Sequence, residues 1–230
     1  AGLEQVLQLE LRALGARRPV AQRCGVNFTG SAEVAAKALV RARSMEALEG
    51  TLATTRAPMQ SQHDLYEFAA EASPWKSLLA NARSIHVRPV TLAVPDAYSM
   101  GSPLYLAQRV QDAIMDSLSP DRRAVLRSGT GSAEPEWVIN VVVHRGGMSM
   151  SRRWSGRSGF HRRGYRRGVK MHRGALKETT AAGLLLLTGL MEQLSNTSSS
   201  LGVVDPMCGS GTLLLEAALM AHGIAPAVVR

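Results

Sequence analysis

Cysteine is almost absent from this chain, and long apolar runs are absent altogether. Two cysteines, Cys24 and Cys208, in 230 residues can build neither a disulfide framework nor a zinc site, which points to a reducing compartment. Cys24 sits beside a strand-like stretch and reads as a small core residue. Cys208 falls in a glycine turn, where nothing marks it as a nucleophile. His63, His86, His144, His161, His172 and His222 show no metal spacing, so no metal is expected. The aliphatic run Leu184 to Leu187 is far too short to cross a bilayer, and no membrane partner is expected. No internal repeat is visible.

Acidic residues are missing from one long stretch. None occurs between Glu136 and Glu178, whereas Arg145, Arg152, Arg153, Arg157, Arg162, Arg163, Arg166, Arg167, Lys170 and Arg173 all fall inside it. The net charge is +9 and the isoelectric point about 10.4. Arginine far outnumbers lysine, and its planar fork suits phosphates and stacking on bases. A basic block interleaved with Trp154, Phe160, Tyr165 and histidines fits a groove that tracks a phosphate backbone. From composition alone, a solvated face or a basic linker fits as well.

Against this background one short string stands out. Leu201 to Val204 is a short apolar run suited to a strand covered on both faces. Asp205-Pro206 stops it, since proline cannot donate to a ladder. Gly209 and Gly211 permit positive φ and close approach of backbone to a ligand. Thr212 or Ser210 is expected to cap a helix running through Ala221, whose free N–H groups would face an anionic group. A P-loop would need Gly-Lys-Ser/Thr, and no lysine is present. A dinucleotide fingerprint would need glycine where Leu214 stands. What remains is a turn that cradles another nucleotide-like cofactor, or a tight strand-to-helix turn with no ligand.

Periodicity outlines the rest. Leu3 to Leu14 has helical spacing ended by Gly15, followed by a strand over Arg23 to Phe28 and a helix from Ser31 to Leu48. Thr51 to His63 reads as a loop. A helix is expected over Asp64 to Glu71, a strand over Ser84 to Val94 and a helix over Pro103 to Leu118. Asp121 to Pro135 reads as loop, Trp137 to His144 as a β-branched strand, and Thr179 to Leu194 as a helix before the loop Ser195 to Ser200.

Asp205-Pro206-Met207-Cys208-Gly209-Ser210-Gly211-Thr212, with Leu215-Glu216-Ala217-Ala218 after it, resembles the first cofactor motif of the THUMP-containing RNA methyltransferases. Ser158-Gly159-Phe160-His161-Arg162-Arg163-Gly164-Tyr165-Arg166, then Gly174-Ala175-Leu176-Lys177-Glu178-Thr179, is similar to that family's entry segment. More loosely, Gly2-Leu3-Glu4, Gly25-Val26-Asn27-Phe28 and Asp64-Leu65-Tyr66 before Trp75 are similar to the bacterial large-subunit ribosomal RNA guanine-N2 enzymes. The fold so implied is an α+β THUMP/ferredoxin-like N-terminal region, then the start of an α/β Rossmann-like class I methyltransferase domain that is truncated here. Expected divisions are 1–36, a ferredoxin-like unit; 37–153, a THUMP RNA-binding module; and 154–230, linker and beginning of the methyltransferase domain.

The resemblance implies S-adenosyl-L-methionine as cofactor. Asp205, Pro206, Cys208, Gly209, Ser210, Gly211 and Thr212 would hold it, with Glu178 and Thr179 candidates for its amino group. A helix N-terminal carboxylate is an equal reading of Glu178. RNA-binding candidates are Arg152, Arg153, Arg157, Arg162, Arg163, Tyr165, Arg166, Arg167 and Lys170. Ribosomal RNA is the favoured partner, with tRNA and association with a ribosomal subunit or assembly intermediate as alternatives. The expected location is the cytoplasm or an organelle matrix, mitochondrial or plastid. Catalytic residues are unassigned: relatives carry an Asp/Asn-Pro-Pro-aromatic loop, and no Pro-Pro pair occurs in this sequence. A non-catalytic ribosome-assembly factor is the rival reading. Two departures accompany it, Ser151-Arg152-Arg153-Trp154-Ser155-Gly156 where an acidic-apolar strand is expected, and Ala175 where a proline is usual.

Overall fold

The computed structural model describes residues 2–93, 99–129, 134–144, 147–156, 159–160, 163–166, 168, 174–196 and 201–229. The chain forms two compact units, one made of 1–48 with 158–230 and the other of 49–157. The boundary anticipated after residue 36 falls inside a helix that spans Ala32–Arg41.

The first unit begins with α1 (Glu4–Ala13), β1 (Arg17–Gln22), β2 (Gly25–Thr29) and α2 (Ala32–Arg41). β1 and β2 form an antiparallel hairpin. β1 carries two arginines and Pro19, which hid it from periodicity. Its turn corrects the reading of Cys24, which is exposed at φ +65° rather than in a core. The Cys24 amide donates to Glu4 Oε1 at 3.1 Å. α2 is capped by Ser31, whose Oγ accepts from the Val34 amide, and it ends before the expected Leu48. The Glu10 carboxylate from α1 takes the amides of Arg43 (2.8 Å) and Ser44 (3.0 Å), holding the chain in a bend. Leu11, Ala38, Ala42, Met45, Leu48 and Phe160 bury one core.

The second unit is a sheet in the order β3 (Glu49–Thr55), β8 (Gly147–Arg153), β7 (Trp137–His144), β4 (Ser84–Val87) and β6 (Arg127–Ser128). A short β5 (Thr91–Leu92) also pairs with β7. β3–β8 and β8–β7 are antiparallel, and the remaining pairs are parallel. Thr51 to Thr55 was expected to be loop. β-branched threonines and the β8 ladder make it strand instead, because pairing outweighs a polar composition. The single strand expected over 84–94 is divided at Pro89, which cannot donate to a ladder; its last residue lies outside the described residues. The loop expected from Asp121 contains α6 (Pro120–Val125) and β6.

Helices α3 (Gln62–Glu71), α4 (Trp75–Leu78) and α5 (Pro103–Asp116) complete the unit. Ser61 and Asp64 form a reciprocal capping box on α3. Leu106, Val110, Ala113 and Ile114 put one stripe of α5 into a core with Leu65, Ile85, Ile139, Met148 and Met150. Gln111 spans two strands, accepting from the Val87 amide and donating to Ser128 Oγ at 2.9 Å.

The first unit resumes with α7 (Glu178–Leu187), α8 (Leu190–Ser195) and α9 (Thr212–Ala221). One helix was expected over Thr179 to Leu194; Gly189 at φ +72° divides it in two. Ala182, Leu185, Leu190, Ala217 and Met220 form its core. Among the described residues no helix is long and apolar enough to cross a membrane.

The β7–β8 hairpin reaches the end of β3 through Gly147, at φ +132°. An added Cβ there would sit 1.9 Å from the Thr55 carbonyl oxygen. Gly147→Ala is therefore expected to cost about 1–3 kcal/mol, from backbone strain and displacement of β3. Chemical denaturation checks this, and an unchanged midpoint would contradict the packing.

Candidate cofactor turn and its buried support

The glycine string forms a tight turn leading into α9. Asp205 Oδ1 accepts from the Met207 amide at 3.0 Å, and the Gly211 amide donates to the Cys208 carbonyl at 2.7 Å. Gly209 and Gly211 lie at φ +53° and +72°, in the left-handed region that side chains resist. An added Cβ at Gly211 would meet nothing within 4 Å, so the turn has open space beside it. That space, with the left-handed glycines, fits a ligand brought close to main chain.

The expected side-chain cap is not formed. Gly211 itself is the N-cap, and no side chain there accepts a helix amide. Ser210 and Thr212 instead face each other, Oγ to Oγ1, at 3.3 Å. The positive end of α9 is thus left without an internal anion at the cap. Pro206 and Cys208 are exposed in the turn.

Leu201 to Val204 was expected to be a buried strand. No described strand pairs with it, and Val204 is 87% exposed. A strand exists only through its ladder partners, and apolar β-branched residues cannot supply them alone.

One helical turn beyond Thr212, Glu216 is completely buried. Its carboxylate pairs with the Arg163 guanidinium, also fully buried, and accepts from Tyr165 Oη at 2.8 Å. Arg163 Nη2 donates to the Arg43 carbonyl at 2.6 Å. Arg43 Nη2 in turn donates to the Ile224 carbonyl at 2.7 Å. Burial pushes the Glu216 carboxyl up, with Arg163 pulling it the other way. Burial, then the bond to Glu216, pushes the Tyr165 phenol far above its usual range. Arg43 is lowered by burial.

Sequence reasoning missed this network. A signal was present: Glu216 is the lone charge in the apolar run Leu213 to Ala221. Its spacing from Thr212, Ala217 and Met220 puts it on the helix face turned inward. A carboxylate on a core face needs a buried partner.

The other candidates divide as follows. Glu178 and Thr179, in the first turn of α7, are both buried. Arg163, assigned to RNA from the basic block, is fully buried and spent on Glu216, which corrects that assignment, whereas Tyr165, also bonded to Glu216, is only half-buried. Phe160 belongs to the core. On β8, Arg153 donates to Glu49 at 3.1 Å and to the Gly156 carbonyl at 2.9 Å. The Arg152 guanidinium carbon lies 3.6 Å from the ring centroid of Trp137 and 4.1 Å from that of Trp154. Arg157, Arg162, Arg167, Lys170 and the Arg166 side chain lie outside the described residues. No metal-binding cluster occurs among the described residues.

Comparison with known proteins agrees with this anatomy. Residues 163–230 match the RMKL-like methyltransferase domain family, and residues 1–46 match the RlmL ferredoxin-like domain family. A predicted N6-adenine-specific DNA methylase from Listeria monocytogenes, 28% identical, superposes with a TM-score of 0.77 over 100% of this chain and 55% of its own. SMU.472, crystallised with SAH, is 24% identical, with a TM-score of 0.78 over 100% of this chain and 56% of its own. The fold is a ferredoxin-like N-terminal domain joined to a class I methyltransferase domain. Over 229 residues the chain is 37% identical to the ribosomal RNA large subunit methyltransferase K/L of Cellvibrio japonicus, covering 100% of this chain and 28% of that protein. The chain is thus similar to RlmL-type methyltransferases, and it spans little more than a quarter of that curated relative's length.

Removing one partner of the buried pair leaves an uncompensated charge. Glu216→Ala is expected to cost about 3–5 kcal/mol. Glu216→Leu combined with Arg163→Met should cost far less, because both charges leave together. Unfolding midpoints of single and paired variants check this; equal losses would deny the coupling.

Proposed function

We propose that this chain belongs to an S-adenosyl-L-methionine-dependent RNA methyltransferase that modifies guanine N2 in large-subunit ribosomal RNA. The observation that carries the reading is the turn from Asp205 to Thr212, with its two left-handed glycines, open flank and uncapped helix start. The likeness to the K/L enzyme over nearly every residue of the chain supplies the substrate class.

In this reading the Gly209–Gly211 main chain passes along the cofactor, and the α9 N-terminus faces its carboxylate. Asp205, Ser210 and Thr212 offer oxygens for its polar groups, while Pro206 and Cys208 shape the bend. Glu178 and Thr179 would serve its amino group from the start of α7. The bound cofactor supplies a methyl group already activated on a sulfonium. These residues therefore hold and orient, and Glu216 fixes the helix from which the turn springs. The loop that grips an acceptor amine, Asp/Asn-Pro-Pro-aromatic, has no counterpart in this sequence, so no residue here is assigned to methyl transfer.

The 49–157 unit would act as the THUMP module that engages RNA. Arg152, Arg153 and Arg157 are its proposed RNA contacts, and Arg162, Arg166, Arg167 and Lys170 are those proposed for the other unit. A ribosomal substrate would place the protein where large subunits mature, in the cytoplasm or an organelle matrix.

The intact protein should transfer labelled methyl from S-adenosyl-L-methionine to deproteinised large-subunit ribosomal RNA in preference to tRNA. No incorporation into either would overturn the reading. Gly211→Val is expected to weaken calorimetric binding of S-adenosylhomocysteine by at least about 30-fold, since a β-branched residue resists φ +72° and would fill the open flank. Wild-type affinity in that variant would remove the site.

A further inference from the structure

Trp154 stands immediately after β8, and the guanidinium of Arg152 lies within about 4 Å of both its ring and that of Trp137. The Arg152 guanidinium carbon sits over both rings, 3.6 Å from the Trp137 centroid and 4.1 Å from the Trp154 centroid. Trp137 is 8% exposed, whereas Trp154 is 48% exposed. Trp154, about half exposed, thus keeps ring surface open to solvent beyond the part that meets Arg152.

The sequence has built a place for this ring. The Trp154 Nε1 edge lies 2.8 Å from where a Cβ on Gly50 would stand, so only glycine at that β3 position admits the indole. Arg152 is opposite Gly50 on one side and Ile139 on the other, in the middle of a three-strand ladder. Its side chain therefore springs from rigid backbone. A large flat ring held this firmly loses little conformational entropy when something stacks on it. Burial lowers the Arg152 guanidinium, with Glu136 opposing.

Charge alone does not single out the spot. Arg153 is paired with Glu49, and Glu136 bonds the Arg83 amide at 2.8 Å. What the site offers is a flat aromatic face backed by a cation, in a chain of net charge +9. We infer that the exposed ring surface of Trp154 is a stacking platform for one unpaired nucleobase of single-stranded RNA. The inference rests on the RNA-binding reading above and deepens it: the ligand is an unpaired base read by its face, not a duplex read by its phosphates. Stacking of this kind tolerates any base but favours purines, which present the larger ring.

Tryptophan fluorescence of the intact protein tests it without any substitution. The sequence has three tryptophans, and Trp75 and Trp137 are 2% and 8% exposed. Quenching on titration with a single-stranded oligoadenylate of about a dozen residues thus reports Trp154. Quenching is expected, stronger with oligoadenylate than with oligouridylate and weaker with a blunt RNA duplex. Trp154→Leu should raise the single-strand Kd about 5- to 150-fold, the range of one lost base stack. Duplex affinity and the salt slope should stay unchanged, because no phosphate contact is removed. Trp154→Phe, which keeps a flat ring, should recover part of the loss.

Single-strand binding with no quenching, and equal affinity in Trp154→Leu, would overturn the platform while leaving RNA binding in place. Absence of binding to either RNA form would overturn the RNA reading and the platform with it.

Discussion

The first unit depends on the buried contact between Arg163 and Glu216. That unit is assembled from the two ends of the chain, 1–48 and 158–230, and a discontinuous unit must be closed by contacts distant in sequence. Arg43 comes from the end of α2, Arg163 and Tyr165 from the segment before α7, and Glu216 and Ile224 from α9 and its exit. Desolvating two ions costs several kcal/mol each, and only good geometry with further hydrogen bonds offsets it. Tyr165 supplies one such bond and the Arg43 carbonyl another. An apolar contact could slide; a guanidinium between a carboxylate and a carbonyl has one register. The pair therefore specifies how α9 sits more than it adds stability.

This constraint bears on the turn above it. Thr212 and Glu216 are four residues apart, hence on one face of α9, and both are buried. Gly211, just before Thr212, is an N-cap without a side-chain bond, and a Cβ there would meet nothing within 4 Å. A helix anchored from below and unobstructed at its tip holds its N-terminal amides in a fixed direction. Preorganised donors of this kind cost no rearrangement when an anion arrives.

The parts legible in the sequence were those governed by local rules. α1, α3, α5, β7 and α9 follow from apolar period, caps and β-branching. Elements that depend on partners elsewhere were hidden. β3 is threonine-rich and read as loop until β8 paired with it, and β1 is mostly exposed and carries arginines and a proline. Leu201 to Val204 shows the converse, a strand composition without a described partner. The glycine turn was readable because its chemistry sits in consecutive residues. Its support was not, since Arg43, Arg163 and Glu216 meet only after the chain has folded.

Arginine shows why composition misleads about function. The stretch free of acids looked like one basic surface, yet its described members do three different things. Arg163 is an interior ion, Arg153 is held by Glu49 beside Asn140 and Ser151, and Arg152 lies against two indoles. A guanidinium is planar, weakly hydrated and always charged, so it serves a core, a strand edge or an aromatic stack with equal chemistry. The net charge of +9 therefore measures how often the residue is used, not how much of it meets a polyanion. Of these three, only Arg152 lies against an indole that is itself about half exposed, Trp154.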